Sequence, residues 1–120
     1  MSKIYDFNYV EKVQLEDRYR VYMSLDIVSE QYWLNCFLNS NKYRVNITNK
    51  IEAICKRLYQ MNIQDWNLKD FTQPMHYTPS LEWKLIIHTD SINVNCLGTD
   101  NFPLNWNEFI DILEYIVKGV

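Results

Sequence analysis

Alternating apolar and polar residues mark the extended segments of this chain. The period-two pattern predicts strands over residues 3–15, 18–28, 31–39, 81–89 and 92–98. In the second of these the apolar side chains fall on one side, which predicts a buried face made of Tyr19, Val21, Met23, Leu25 and Ile27. Residues 43–47 form either a short further strand or the approach to a helix.

Apolar residues at helical spacing predict a first helix in the middle of the chain. It is expected to begin near Thr48 or Asn49, because Asn49 and Glu52 have the spacing of a capping box. Lys50 falls on its solvent face, and its buried stripe consists of Ile51, Ile54, Cys55, Leu58 and Tyr59. Further large apolar residues follow in an irregular segment that is expected to cover the core.

A second helix is predicted near the end of the sequence. Asn105 and Glu108 fit another capping box, and Leu104 and Phe109 fit a hydrophobic staple around the first turn. Pro103 disfavours helix in the residue before it. The buried stripe is predicted to consist of Trp106, Phe109, Ile110, Leu113, Ile116 and Val117.

The order of these elements defines the predicted fold class. Strands joined by short hairpins form antiparallel sheets, so residues 1–120 are predicted to be a single α+β domain. We expect an antiparallel sheet of four to six strands with two helices packed on one face, a two-layer sandwich. Its core is predicted to contain Val21, Met23, Leu25, Ile54, Leu58, Trp83, Leu85, Phe109, Leu113 and Ile116.

Composition narrows the range of partners. The 120 residues are 48% hydrophobic and carry a net charge of −3, which disfavours binding to the phosphates of a nucleic acid. The longest apolar runs are far shorter than a membrane span. The chain begins without an apolar signal region, so we expect a cytoplasmic protein with no nucleic-acid or membrane partner.

Motifs for catalysis are missing from the sequence. It has no phosphate-binding glycine loop, no G-x-S-x-G elbow and no H-E-x-x-H pair. A metal site would require His76 and His88 to converge with acidic or cysteine ligands. His88 and Cys96 form one candidate nucleophilic pair, but Cys36, Cys55 and Cys96 are better explained as buried thiols. We therefore predict no cofactor, no metal and no enzymatic activity.

The C-terminal half has a pattern that resembles a known group of proteins. Ile63-Gln64-Asp65-Trp66 is followed by a loop, a strand containing Leu81–Ile87, and then Gly98-Thr99-Asp100-Asn101-Phe102-Pro103 before a helix that opens Asn105-Trp106. This resembles small, largely uncharacterised bacterial α+β proteins, and some proteins of that size and build are immunity proteins for polymorphic toxins. The resemblance covers roughly residues 47–118. It departs from the group at Thr78-Pro79-Ser80, where a glycine is common, and it assigns no catalytic residue.

The sequence supports two candidate functions. The first is a protein-binding inhibitor, most concretely an immunity protein, whose acidic rim would attract a basic toxin. Its rim is predicted from Asp65, Asp70, Asp90, Asp100, Asp111 and Glu114, and its aromatic anchors from Trp33, Trp66 and Tyr77. The alternative is a small-ligand-binding or catalytic domain with a pocket between the sheet and the loop of residues 66–80.

Overall fold

The computed structural model describes residues 2–13, 18–38, 40–72 and 81–118. Its strands are β1 (Ile4–Val13), β2 (Arg18–Val28), β3 (Gln31–Leu38), β4 (Asn41–Asn46), β5 (Asp70–Thr72), β6 (Leu81–Thr89) and β7 (Asn93–Thr99). Its helices are α1 (Ile51–Gln60) and α2 (Trp106–Val117), and two 3₁₀ turns cover Thr48–Lys50 and Ile63–Trp66. In the described ranges, neither helix has the length and apolar character needed to cross a membrane.

The strands form one sheet in the order β4-β3-β2-β1-β6-β7-β5. Every neighbouring pair is antiparallel except β5 and β7, which are parallel. The prediction of an α+β fold with a mostly antiparallel sheet is confirmed. The described residues form seven strands rather than four to six, because β4 is a true strand and β5 pairs three residues of the segment predicted to be irregular.

A β-bulge changes the predicted faces of β2. Glu11 pairs with Val21 and Lys12 with Tyr19, so Arg20 is an extra residue with no partner of its own. The alternation of side chains is therefore reset at this point. Tyr19 was predicted to be buried with Val21, but it is 53% exposed and its ring contacts that of Tyr22 at 6.0 Å. Ile27, predicted on the same face, is also exposed, next to the turn that joins β2 to β3.

Aromatic rings join α2 to the sheet. Trp106 lies 4.8 Å from the ring of Trp83 on β6, and Phe109 lies 5.4 Å from Tyr9 on β1. Nine of the ten predicted core residues are buried, and the tenth, Leu25, is partly buried against the same cluster. The core prediction is therefore confirmed. The apolar side of β6 and the apolar stripe of α2 both belong to this cluster.

Neither predicted capping box forms. Glu52 accepts a hydrogen bond from the backbone amide of Ser2 at 2.7 Å, and a 3₁₀ turn precedes α1 in place of a side-chain cap. Asn105 donates to the carbonyl oxygen of Met61 at 3.0 Å and accepts from Trp66, so its side chain is engaged outside its own helix. The hydrophobic staple is also wrong, since Leu104 is fully exposed.

Lys50 joins the two helices. Its Nζ donates to the carbonyl oxygens of Tyr115, Ile116 and Lys118 at 2.9, 3.2 and 3.1 Å. These groups lie at the end of α2, where unpaired carbonyls favour a cation. The sequence placed Lys50 on the solvent face of α1, but it satisfies the end of the other helix.

Replacement of Lys50 should therefore destabilise the fold. Lys50→Met keeps an apolar stem and removes the charged donor, and we expect the free energy of unfolding to fall by about 1.5–3 kcal/mol. Chemical denaturation measures the change, with Lys56→Met on the exposed face of α1 as the matched control. Equal losses in the two variants would contradict this role.

Gly98 allows β7 to approach the Trp83 ring. A Cβ at this position would lie 2.5 Å from Trp83 Nε1 and 2.9 Å from the carbonyl oxygen of Asn101. Trp83 Nε1 also donates to that carbonyl at 2.8 Å, so the indole has little freedom to move. A side chain at residue 98 would therefore push against both the ring and its hydrogen bond.

Gly98→Ala is expected to lower the free energy of unfolding by about 1–3 kcal/mol through overpacking. Thermal or denaturant unfolding provides the measurement. Asn93→Ala, at an exposed position of the same strand, serves as the control and should be close to neutral. A Gly98→Ala variant that is as stable as the parent protein would contradict the close packing described for this position.

Candidate functional site

Trp66, one of the predicted anchors, is not accessible to a partner. It is 3% exposed, its ring stacks on Trp106 with centroids 5.6 Å apart, and its Nε1 donates to Asn105 Oδ1 at 3.0 Å. The 3₁₀ turn has three residues per turn, so Ile63 and Trp66 point to the same side, and both are buried. The prediction that Trp66 is exposed is therefore wrong.

The predicted acidic rim is spread over several elements. Five of its members are exposed: Asp65, Asp70, Asp90, Asp111 and Glu114. Asp111 and Glu114 are three residues apart and share one face of α2. The others lie in the 3₁₀ turn after α1, in β5 and in the turn between β6 and β7. The fold thus brings together one pair and leaves the rest on different elements.

Two of the acidic residues hold backbone in place. Asp70 Oδ1 accepts from the amide of Thr72 at 2.8 Å, and hydrogen bonds from Thr72 lower the pKa of the Asp70 carboxyl. Asp100 has a φ of 54° and its Oδ1 accepts from the amide of Leu81 at 2.8 Å, which fixes the start of β6. These contacts give both carboxylates a structural role.

The remaining polar candidates do not form a catalytic site in the described parts of the chain. Tyr77 and His76 lie outside the described residues. His88 packs against the ring of Tyr5 at 5.2 Å, whereas Cys96 is buried and pairs with Leu85, so the proposed His88–Cys96 pair is not formed. Across residues 2–13, 18–38, 40–72 and 81–118, no three His, Cys, Asp or Glu side chains converge to hold a metal ion.

The three cysteines are buried free thiols, as predicted. Burial raises the pKa of Cys36, and it raises the pKa of Cys55 to about 11 and of Cys96 to about 12. The Asp90 and Glu52 charges add to the effect at Cys55. A thiol with a raised pKa carries little thiolate near neutral pH and is a poor nucleophile.

The native protein should therefore resist alkylation. At pH 8 we expect iodoacetamide to modify all three cysteines at least tenfold more slowly in native buffer than in denaturant, because the thiolate is the reacting form. Mass spectrometry at timed quenches gives the rates, with a short unstructured cysteine peptide as the reference. One cysteine that reacts as fast as the peptide would identify a reactive thiol and contradict this assignment.

Trp33 lies on the face of the sheet opposite the aromatic core. Leu34 and Cys36 of the same strand are buried in the core, whereas Trp33 and Phe37 alternate with them and point the other way. The guanidinium of Arg44 lies 5.3 Å from the centroid of the Trp33 ring. Of the predicted anchors in the described residues, Trp33 is the one that a partner can reach.

Further side chains join Trp33 across three strands. Tyr22 pairs with Phe37, and Phe37 pairs with Lys42, so these three form one cross-strand row. The bulge at Arg20 brings Tyr19 beside Tyr22. We call this set the β2–β4 surface: Tyr19, Tyr22, Trp33, Phe37, Lys42 and Arg44. Sequence reasoning placed only Trp33 in a binding role.

Hydrogen bonds connect Arg44 of the β2–β4 surface to two neighbouring side chains. Arg44 Nη1 donates to Asp26 Oδ2 at 2.9 Å and to Asn35 Oδ1 at 2.6 Å, and Asn35 Nδ2 donates to the same Asp26 oxygen at 2.8 Å. The bonds from Arg44 and Asn35 lower the pKa of the Asp26 carboxyl. These contacts position the Arg44 side chain over the Trp33 ring.

An open depression of about 1180 Å³ lies at this end of the sheet, along β1 to β4. The described residues that line it include four cations and one carboxylate, namely Arg18, Arg20, Lys42, Arg44 and Glu11. Glu11 Oε1 accepts from the Tyr9 hydroxyl at 2.5 Å, and Arg20 Nε lies 4.0 Å from Glu11 Oε2. Burial, and then the Glu11 charge, raise the pKa of Tyr9.

Two pairs of basic residues, Arg18 with Arg20 and Lys42 with Arg44, are visible in the sequence, but only the fold brings them together. They adjoin one depression because β2 and β4 flank β3. The pocket that was predicted between the sheet and the loop of residues 66–80 is a different region from this depression. Of that loop, residues 73–80 lie outside the described residues.

Comparison with known proteins found no matching family model, no matching curated protein and no matching solved structure. The function of this chain therefore has to be inferred from its own side chains and their arrangement. The β2–β4 surface and the adjoining depression are the features that offer a partner both apolar contact and charge.

Proposed function

We propose that this chain is a non-enzymatic protein-binding domain that contacts its partner through the β2–β4 surface. The observation that carries the proposal is the composition of that surface. Tyrosine, tryptophan and arginine dominate the binding energy of protein interfaces, and here Tyr19, Tyr22, Trp33 and Arg44 lie together on regular strands. Strands position such side chains more firmly than loops do.

We infer that both helices cover the opposite face of the sheet. Trp106 and Phe109 of α2 contact Tyr9 and Trp83, whose side chains lie on the core face. Lys50, at the start of α1, binds the end of α2 and so keeps α1 in the same layer. In this arrangement the helices occupy the core face and leave the β2–β4 surface open to a partner.

Preorganisation supports the proposal. Ordering flexible side chains at an interface costs about 0.5–1.5 kcal/mol for each one. Arg44 is already held by Asp26, Asn35 and the Trp33 ring. Binding at this surface would therefore avoid part of that cost, namely the part due to Arg44.

In its most specific form, the proposed function is that of an immunity protein, which neutralises a cognate bacterial toxin in the cytoplasm by direct binding. The resemblance of residues 47–118 to small bacterial α+β proteins supports this form. Asp111 and Glu114 on α2 remain available to a basic toxin. They lie in the helical layer, so in our arrangement they are on the opposite side from the β2–β4 surface.

The proposal makes a kinetic prediction for aromatic truncations. Trp33→Ala and Tyr22→Ala should each weaken binding by about 2 kcal/mol or more, mainly through faster dissociation, as expected for interface anchors. Tyr59→Ala is the matched control and should leave affinity unchanged, because Tyr59, which was predicted to belong to the buried stripe of α1, is 66% exposed. Surface plasmon resonance gives both rate constants, with the partner first identified by affinity capture and mass spectrometry.

A double variant on α2 distinguishes the two candidate surfaces. Asp111→Asn/Glu114→Gln should change the association rate and its salt dependence only if the partner contacts α2. If this variant impairs binding while Trp33→Ala and Tyr22→Ala do not, the β2–β4 surface is not the interface.

The alternative function, a small-ligand-binding or catalytic domain, is supported by the depression beside Glu11. A small molecule as the sole partner would favour it over protein binding.

A further inference from the structure

In the described residues, strand β4 forms one edge of the sheet. It pairs with β3 on one side and ends the strand order on the other. The amide of Ile47 donates to the carbonyl of Tyr32 at 2.8 Å, which identifies this position as a hydrogen-bonded pair. Such pairs alternate along antiparallel strands. Tyr43 and Val45 therefore bond towards β3, whereas the backbone groups of Lys42, Arg44 and Asn46 point outward.

The other edge of the sheet is less suited to a new strand. β5 has three residues, and the amide of Thr72 already binds Asp70 Oδ1. β4 has six residues, which is close to the usual length of a strand. The longer run of outward backbone groups in the described residues thus lies on β4, next to the β2–β4 surface.

The side chains of β4 restrict which strand it accepts. Lys42 and Arg44 are exposed on the outer face, and Tyr43 and Val45 are half-buried on the core side. A second copy of this chain paired in register through β4 would place four cations together on one face. Like charges on adjacent strands are unfavourable, and charged edge residues are a common defence against such pairing. Lys42, together with Arg44 beside its Asp26 partner, would attract acidic side chains on a different strand.

We propose that β4 accepts an extended acidic segment of the partner protein as an additional strand of the sheet. This inference rests on the proposed protein-binding function and specifies how the partner binds. The segment would alternate acidic and apolar residues. Its acidic side chains would lie beside Lys42 and Arg44, and its apolar side chains would extend the row of Tyr43 and Val45. Backbone hydrogen bonds to Lys42, Arg44 and Asn46 would hold it.

A peptide titration tests the edge without the natural partner. The probe is a blocked six-residue peptide of alternating glutamate and valine, and the control peptide has lysine in place of glutamate. On ¹⁵N-labelled protein, the glutamate peptide should shift the amides of Lys42, Arg44 and Asn46 and slow their hydrogen exchange. The lysine peptide should bind at least tenfold more weakly. Tyr43 and Val45 amides should change less, because they already bond to β3.

Charge variants make the test specific. Lys42→Glu/Arg44→Gln should remove the preference for the glutamate peptide or reverse it. The matched variant Lys56→Glu/Lys84→Gln changes the net charge equally at exposed sites away from β4 and should keep the preference. The ¹⁵N spectrum of each variant shows whether it remains folded. The single variant Lys42→Glu is a milder alternative to the double variant, because it leaves the contact between Arg44 and Asp26 intact.

Several results would overturn the inference. The first is the absence of a saturable shift at the amides of Lys42, Arg44 and Asn46, and the second is an equal response to both peptides. The third is a shift at these amides that depends on protein concentration alone, which would indicate pairing with a second copy. Failure at the edge leaves the protein-binding proposal open, because Trp33→Ala and Tyr22→Ala test the sheet face. Conversely, a positive titration would stand even if those two variants bound their partner normally.

Discussion

The packing of Trp106 against its aromatic neighbours is the interaction on which the rest of the structure depends. Its ring lies within 6 Å of five others, from β1, β6, α2 and the connecting turns. They belong to Tyr9, Trp66, Trp83, Phe102 and Phe109. Large aromatic side chains bury much apolar surface and prefer tilted or offset contacts, so one cluster can join a helix, a 3₁₀ turn and two strands.

The indole nitrogens of the cluster are hydrogen-bonded, and one of their partners is a residue that was predicted to cap its own helix. Trp66 Nε1 is satisfied by Asn105, and Trp83 Nε1 by the carbonyl of Asn101. An unpaired buried donor costs about 1–3 kcal/mol, more than a local helix cap usually contributes. This difference explains why Asn105 binds across elements, and why a pattern that matches a capping box does not form one.

With the aromatic cluster on the core face, the opposite face carries the β2–β4 surface, through which we propose that a partner binds. In the described residues this face carries Tyr19, Tyr22, Trp33, Phe37, Lys42 and Arg44 at the β2–β4 end, although the chain as a whole is acidic. Net charge therefore describes this protein incompletely, because four of its twelve Lys and Arg residues line one depression while the exposed acids of the predicted rim lie on different elements. A partner would respond to the charges and the apolar area close to its contact surface. Salt screens interactions between exposed charges that are more than about 10 Å apart.

The sequence by itself determined the class of the fold, the main strands and a central set of core residues, because alternation and helical spacing are local properties that follow from backbone geometry. The tertiary structure decided which face Tyr19 occupies, where the side chains of Asn105 and Lys50 bind, and that Trp66 is buried. It also decided that Tyr22, Phe37 and Lys42 form one row. These outcomes depend on a bulge, on the register between strands and on competition for hydrogen bonds between distant residues, and none of them leaves a periodic signal along the chain.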